Sequence, residues 1–251
     1  LAAVPCQDAD GFPAEGPGSL FKKRPRIKAF PRSFGFDGGL QTVCESALQA
    51  PGIRVRTGAE VTRVQAVESG FVVTTADGGA WAAEIVAIAT PIAAAAALLA
   101  SGFPQLGGAL AAVRTVSVES LGVVLPAAAC WMPPAAFVIP AADIFHSAVL
   151  RDPFPDPARR AFTFHFRAGH PRAVQLERMA QVLRVPAASL GEPAARQTSL
   201  PAPALGHHRI VAHVDGLLAG RRLALAGNYF QGLAIEDCVQ RAFAEYARVV
   251  G

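Results

Sequence analysis

Charge is scarce in this chain. Asp, Glu, Lys and Arg make up 17% of its 251 residues against 52% hydrophobic ones, so it can bury a core of one or two domains and is no disordered tail. Lys plus Arg exceed Asp plus Glu by only 23 to 19. The one dense basic cluster is Lys22, Lys23, Arg24, Arg26 and Lys28. It can touch phosphate, an anionic substrate or a lipid headgroup, or stand as a solvated loop. It has no aromatic interleaving, which speaks against nucleic-acid binding. Cysteine is sparse too: Cys6, Cys44, Cys130 and Cys238 form no C-x-x-C pair and have no His at ligand spacing, so no zinc site is expected. Three of them sit in apolar stretches, which suits a reducing, cytoplasmic setting. The longest apolar run, Ile85 to Ala100, is broken by Thr90 and Pro91 and falls short of the roughly 20 residues a bilayer span needs. At most a peripheral membrane contact through the basic cluster is expected. The stretch from Leu1 to Gly18 lacks an initiator Met and a basic n-region, and reads as a chain cut from a longer one. There is no internal repeat and no nucleophile elbow. His207, His208 and His213 have no carboxylate or Cys cluster beside them and read as surface or capping histidines.

What is present is a mixture of two textures. Residues 1–29, rich in Gly, Pro and charge, read as a linker or loop. After Gly38-Gly39, Leu40, Val43, Cys44, Ala47 and Leu48 recur at helical spacing, predicting a helix that stops before Pro51-Gly52. Ile53 to Thr57, Val61 to Val67 and Phe71 to Thr75 read as strands, with Asp77-Gly78-Gly79 as a turn. Glu84 to Ala89 has the continuous apolar run of a strand buried on both faces of a parallel sheet, and Ile92 to Ala100 a helix. From about Ser101 to Pro203 strand patterns (Val118 to Leu125, Phe137 to Ile139, His146 to Leu150, Ala161 to Ala168) precede a helix near Val174 to Arg184. This predicts an α+β domain inserted into an α/β one. Leu223 to Ala226 returns as a buried strand, and Ile235, Val239, Ala242, Phe243, Tyr246 and Val250 stripe a terminal helix.

The chemistry concentrates at the strand, turn and helix from Leu225 to Val239. Gly227-Asn228 and Gly232 let backbone approach a bound group, and the free amides of the helix start favour partial negative charge, such as a flavin edge or a phosphate. An ordinary strand-turn-helix in which Glu236 and Asp237 complement the helix dipole fits the same residues. Phe162, Phe164 and Phe166 alternate with Thr163, His165 and Arg167; either the aromatics pack a core or they line a flat apolar pocket.

The stretch GNYFQGLAIEDCV resembles the C-terminal flavin-binding motif of protoporphyrinogen oxidases. Gly227, Asn228, Gly232, Ala234, Ile235, Asp237, Cys238 and Val239 fit that pattern, and Asn228 stands where the wider flavin amine oxidase superfamily usually has an acid. Gly18-Ser19-Leu20-Phe21, Phe34 with Phe36, Gly38-Gly39-Leu40, Gly58-Ala59-Glu60-Val61, Glu84 to Pro91, Phe137 to Pro140 and Leu205-Gly206-His207 are similar to further family passages in the same order. Ala202 and Pro203 depart from it. The family's G-x-G-x-x-G unit is missing.

The resemblance implies a partial FAD/NAD(P)-binding Rossmann-like domain (30–100 and 204–251) with an inserted substrate-binding domain (101–203). It implies FAD as cofactor, held by Gly38, Gly39, Val61, Asn228, Gly232, Ala234 and Ile235, and a porphyrinogen oxidised to a porphyrin with O2 reoxidising the flavin. Phe164 would then line the substrate pocket, with Arg151 or Arg167 meeting a propionate. No side-chain acid or base is assigned to catalysis, since the cofactor carries the electrons. The missing pyrophosphate cradle predicts weak FAD retention unless an N-terminal FAD-binding segment or chain completes the site. Another flavin amine oxidase or desaturase-type enzyme, or a non-catalytic fragment, shares the same motifs.

Overall fold

The computed structural model describes residue 36 and residues 38–133, 137–151 and 156–251. The expected loop 1–29, its basic cluster, Cys6 and Phe34 lie outside the described residues. In chain order the elements are α1 (Gln41–Leu48), β1 (Val61–Val67), β2 (Gly70–Thr75), β3 (Ala80–Ala83), β4 (Val86–Ile88), α2 (Ile92–Ala100), α3 (Pro104–Ala111), β5 (Thr115–Pro126), β6 (Phe137–Val138), β7 (Phe145–Leu150), β8 (Arg159–Arg167), α4 (Arg172–Leu183), β9 (Ala194–Pro201), α5 (His207–Leu218), β10 (Leu223–Leu225) and α6 (Ile235–Val250). Among the described residues no helix is long and apolar enough to cross a membrane.

The strand expected at 53–57 does not form. Ile53 and Val55 are exposed, and no described strand lies beside them; alternation alone cannot hold an extended segment without a ladder partner. The next three strands form an antiparallel meander, β1-β2-β3, with Asp77–Gly79 turning β2 into β3. β4 pairs instead with β10 from the far end of the chain, in parallel, Leu223 opposite Val86 and Leu225 opposite Ile88. Around these strands pack α2, α3 and α5, whose Leu99, Leu106, Leu110, Val214 and Leu218 join Leu223 and Leu225 in one core. Gly107 lets α3 lie close on α2, because a Cβ there would sit 3.0 Å from the Ala96 carbonyl oxygen.

A second core belongs to a five-stranded antiparallel sheet of order β6-β7-β8-β5-β9. Leu121, Val123 and Leu125 of β5 and Phe162, Phe164 and Phe166 of β8 all point to the face covered by α4, where Met179 and Leu183 meet them. That alternation follows from the two-residue period of a strand. Glu119, on the same face, anchors the start of α4 by accepting hydrogen bonds from Gln175 and Arg172.

Candidate functional site

β4 and β10 run parallel and so end on the same side. Ala226 N–H donates to the Ile88 carbonyl at 3.0 Å, carrying the pair to the point where both chains leave the sheet. The crevice outside the carboxyl ends of parallel strands is where open α/β folds bind ligands. Two polar atoms there are buried without a hydrogen-bond partner among the described residues: Thr90 Oγ1, just past β4, and His207 Nε2, at the start of α5. Buried polar groups in native proteins are nearly always satisfied, so these two suit a ligand with donor and acceptor atoms of its own.

The turn after β10 is built around two aromatics. Tyr229 and Phe230 are almost fully buried, with ring centroids 4.7 Å apart. Tyr229 folds back over Gly227, where a Cβ would lie 2.3 Å from its ring; only glycine fits. Burial pushes the Tyr229 hydroxyl up to about 12, against the opposing charge of Arg241, so it stays protonated and is no proton shuttle at neutral pH. His207 is buried as well, and burial depresses its pKa although the backbone of Tyr229 and Phe230 supports the charged form. It is not the surface or capping histidine expected from the sequence, whereas His208 and His213 are exposed.

At Gly232 the backbone takes φ +149°, a conformation that favours glycine, and α6 begins at Ile235. Asp237 accepts from Ala234 N–H at 3.3 Å while its own amide donates to Ala234 O at 3.0 Å. The amides of Ile235 and Glu236 remain without an intrahelical acceptor, as at every helix start. Asn228, Gly232, Ala234 and Ile235 are therefore gathered in one turn. Gly38 and Gly39 are not drawn to it by any packing: they precede α1, which buries none of its residues. Val61 opens β1 in another sheet, partly exposed.

α6 is oriented against expectation. Its apolar stripe faces outward, with Ile235 66%, Phe243 70% and Tyr246 64% exposed. Its charged side faces in. Arg241 Nε donates to Leu225 O at 3.1 Å, Leu225 N–H donates to Glu245 Oε2 at 3.0 Å, and Arg248 Nη2 donates to Leu223 O at 2.6 Å. These side chains do for the outer edge of β10 what a neighbouring strand would do. Arg241 also stacks on Phe230, 3.8 Å from the ring centroid, and so ties α6 to the turn. Burial and the charge of Asp237 raise the Cys238 thiol above its ordinary value. Thr90 and His207 lie in passages matched by the motifs but were given no role there, and Arg241 and Glu245 were not singled out; the Arg-Glu pair at i,i+4 inside an otherwise striped helix was the available signal.

The expected substrate residues divide. Phe164 is fully buried, packed edge-on to Phe145 at 5.2 Å and stacked with Phe166 at 6.0 Å. It belongs to the α4 side of the sheet and lines no open surface, because period-two alternation turns its neighbours Thr163 and His165 to the other face. Arg151 lies on that other face and donates to Thr163 Oγ1 at 3.2 Å. Arg167 donates to Asp143 O at 3.3 Å. A cleft of about 450 Å³ lined by Val67, Phe71, Glu84, Phe103 and Arg222 lies by the opposite, amino ends of β4 and β10, away from the turn.

No protein-family model matches the sequence, and no curated protein matches it either. Solved structures do. "Putative protoporphyrinogen oxidase from Exiguobacterium sp. 255-15" matches with a TM-score of 0.63 at 16% identity, over 85% of this chain and 51% of its own. A putrescine oxidase triple mutant redesigned in cofactor binding matches with 0.64 at 16% identity, over 85% and 53%. Reduced UDP-galactopyranose mutase matches with 0.57 at 12% identity, over 77% and 46%. The chain spans about half the length of each. At these identities the likeness shows a fold alone, a mixed α/β one shared with these three proteins.

Proposed function

We propose that this chain is the C-terminal half of an FAD-dependent oxidoreductase that converts a porphyrinogen to a porphyrin with O2 as final electron acceptor. The observation that carries the reading is the turn from Gly227 to Ile235 at the carboxyl ends of β4 and β10, with the unpartnered Thr90 hydroxyl and His207 Nε2 beside it. When bound there, FAD supplies the two-electron oxidation. The protein's part is to hold it: Asn228 and Gly232 by backbone approach, and Ala234 and Ile235 by presenting first-turn amides to an electron-rich edge. The neutral His207 and the Thr90 hydroxyl add hydrogen bonds without adding charge. Gly38, Gly39 and Val61 join the site in this reading only once the rest of the FAD-binding unit is in place.

That unit is an N-terminal FAD-binding segment or chain. β4 and β10 form a sheet of only two described strands. Parallel sheets are normally covered on both faces and extended by further strands. The outer edge of β10 is sealed by α6, whereas Ile85, Ala87 and Ala89 along the far edge of β4 are exposed and have no strand beside them among the described residues.

A second reading has one observation in its favour: a putrescine oxidase matches with a TM-score of 0.64. An amine-oxidising or desaturase-type enzyme of the same superfamily would use the same turn. One experiment separates these. The chain mixed with FAD alone stays nearly colourless; supplied with a G-x-G-x-x-G-bearing FAD-binding segment from its own reading frame, it gains flavin absorption and consumes O2 with porphyrinogens but not with amines or polyenes. Tight stoichiometric FAD on the 251-residue chain alone, or O2 uptake with amines only, would overturn the first reading.

A further inference from the structure

Two clefts open by the amino ends of β4 and β10, away from the turn after β10. The wider, of about 450 Å³, has both signs of charge in its lining: Glu84 and Arg222, which pair at 3.2 Å, and Glu68. The narrower, of about 360 Å³, adjoins it through the shared Ala66, Phe103 and Arg221. Its lining is mostly apolar, with Phe103, Pro104, Leu106 and Leu217, and Arg221 is its one charged side chain among the described residues. Phe103 and Leu106 belong to the core, so this apolar floor is in place before any ligand arrives.

Arg221 is in place as well. Its amide donates to Leu218 O at 3.0 Å, its carbonyl accepts from Arg248 Nη1 at 2.8 Å and its Nε donates to Leu217 O at 2.9 Å. The guanidinium carbon lies 5.7 Å from the centroid of the Phe103 ring, within cation–π range. Its two terminal nitrogens have no hydrogen-bond or carboxylate partner among the described residues.

A tethered guanidinium with its fork open, beside an apolar cleft of small-molecule size, complements one anionic head on an apolar body. We infer that the narrower cleft binds a small amphipathic anion, whose carboxylate or phosphate head meets the Arg221 guanidinium while its body lies against Phe103, Leu106 and Leu217. Glu68 and Glu84 keep a second anionic group out of the wider cleft, which limits the ligand to one head. Flavin plays no part in this site, which lies at the other end of β4 and β10 from the turn, so its fate is separate from that of the proposed oxidoreductase.

Octanoate, octyl phosphate, 1-octanol and acetate are titrated in turn into the full isotope-labelled chain, and amide chemical shifts report binding. Octanoate or octyl phosphate should move the amides of Ala66, Phe103, Leu106 and Arg221 together and bind about tenfold more tightly than octanol, the size of one net charge-assisted hydrogen bond; the tighter of the two identifies the head group. Acetate, which lacks the body, should bind at least about tenfold more weakly than octanoate. Arg221→Gln should bring the octyl anions to the level of octanol, and Arg221→Lys should recover part of the preference. Gln105→Trp, at another position lining the cleft, should obstruct the body and weaken the octyl anions and octanol alike. Arg221 and Gln105 are both exposed, so a circular dichroism melt should show the variants folded. Equal binding of the octyl anions and octanol, a preference that survives Arg221→Gln, or shifts centred on the turn after β10 or on the five-stranded sheet would overturn the inference.

Discussion

Glu245, in the middle of α6, accepts the backbone amide of Leu225 in β10 at 3.0 Å. Arg241, one turn earlier, donates to the carbonyl of the same residue. A helix is thus pinned to a strand edge by ionic side chains, and the arrangement explains why the polar side of α6 is inside. The edge of β10 needs a donor and an acceptor at fixed positions, which apolar side chains cannot provide. Arg248 closes the group by meeting Glu245 Oε2 at 2.7 Å and the carbonyls of Leu218, Arg221 and Leu223.

Removing one member should therefore cost more than a surface ion pair. Glu245→Ala leaves the buried Leu225 amide without an acceptor and takes from the buried Arg241 one of its two carboxylate partners, Asp215 remaining at 2.8 Å, and about 2 kcal/mol of stability should be lost, in the range for stranding a buried hydrogen-bonding group. Urea unfolding followed by circular dichroism measures it. Glu245→Gln, which still accepts a hydrogen bond, should lose less.

The pH dependence of this pair has a definite sign. Burial alone would raise the Glu245 carboxyl, but Arg248, the Leu225 amide and the charge of Arg241 hold it below its ordinary 4.5. The unfolded chain then binds more protons than the folded one, so this contribution is complete above pH 4.5 and is lost as pH falls through the folded value. Glu245→Gln should flatten the acid limb of a stability-pH curve in that window.

His165 and His207 act at a higher pH. Burial is the main cause of depression below 6.5 for both, with the charge of Arg151 adding to it at His165. Folded-state imidazoles that resist protonation stabilise the fold fully above pH 6.5 and progressively less below it. Urea midpoints at pH 7.5 and 5.5 should differ more for the wild type than for His165→Gln combined with His207→Gln.

Gly227→Ala places a methyl group 2.3 Å from the Tyr229 ring. The ring must leave its position in the core or the turn must shift, at a cost of about 1–3 kcal/mol, as for overpacking generally. A thermal melt should show the loss, together with a change in the near-ultraviolet signal of the displaced tyrosine. Phe243→Ser with Tyr246→Ser, on the exposed stripe of the neighbouring helix, should change stability by less than about 0.5 kcal/mol. The same double variant should weaken capture of an N-terminal FAD-binding segment in a pull-down.

Much of the fold was legible because it is written in local periodicity. Ile92 to Ala100, the strand pair from Val61 to Thr75 and the alternation from Ala161 to Ala168 were all readable as elements. The helix at Pro104–Ala111 was hidden by Gly107 and Gly108, helix-poor residues kept for close packing on α2. β9 and α5 carried weaker patterns: Arg196, Gln197, Thr198 and Ser199 show no apolar alternation, and two adjacent histidines masked the buried stripe of Val211, Val214 and Leu218. Amphipathicity showed that α6 has two unlike sides but not which one faces in. For the site, motif spacing found the turn at Gly227 to Ile235. It matched the passages holding Thr90 and His207 but gave those two side chains no role, because their importance lies in being buried without partners, a property of the assembled structure alone.

The central claim is that the turn after β10 and the first amides of α6 face an isoalloxazine ring. Amide chemical shifts of the isotope-labelled chain, titrated with millimolar FAD, test it directly even when binding is weak. The prediction is that Asn228, Gly232, Ile235 and Glu236 move together with Thr90 while the amides of β5 and β8 stay in place; shifts confined to the five-stranded sheet, or none anywhere, would contradict it.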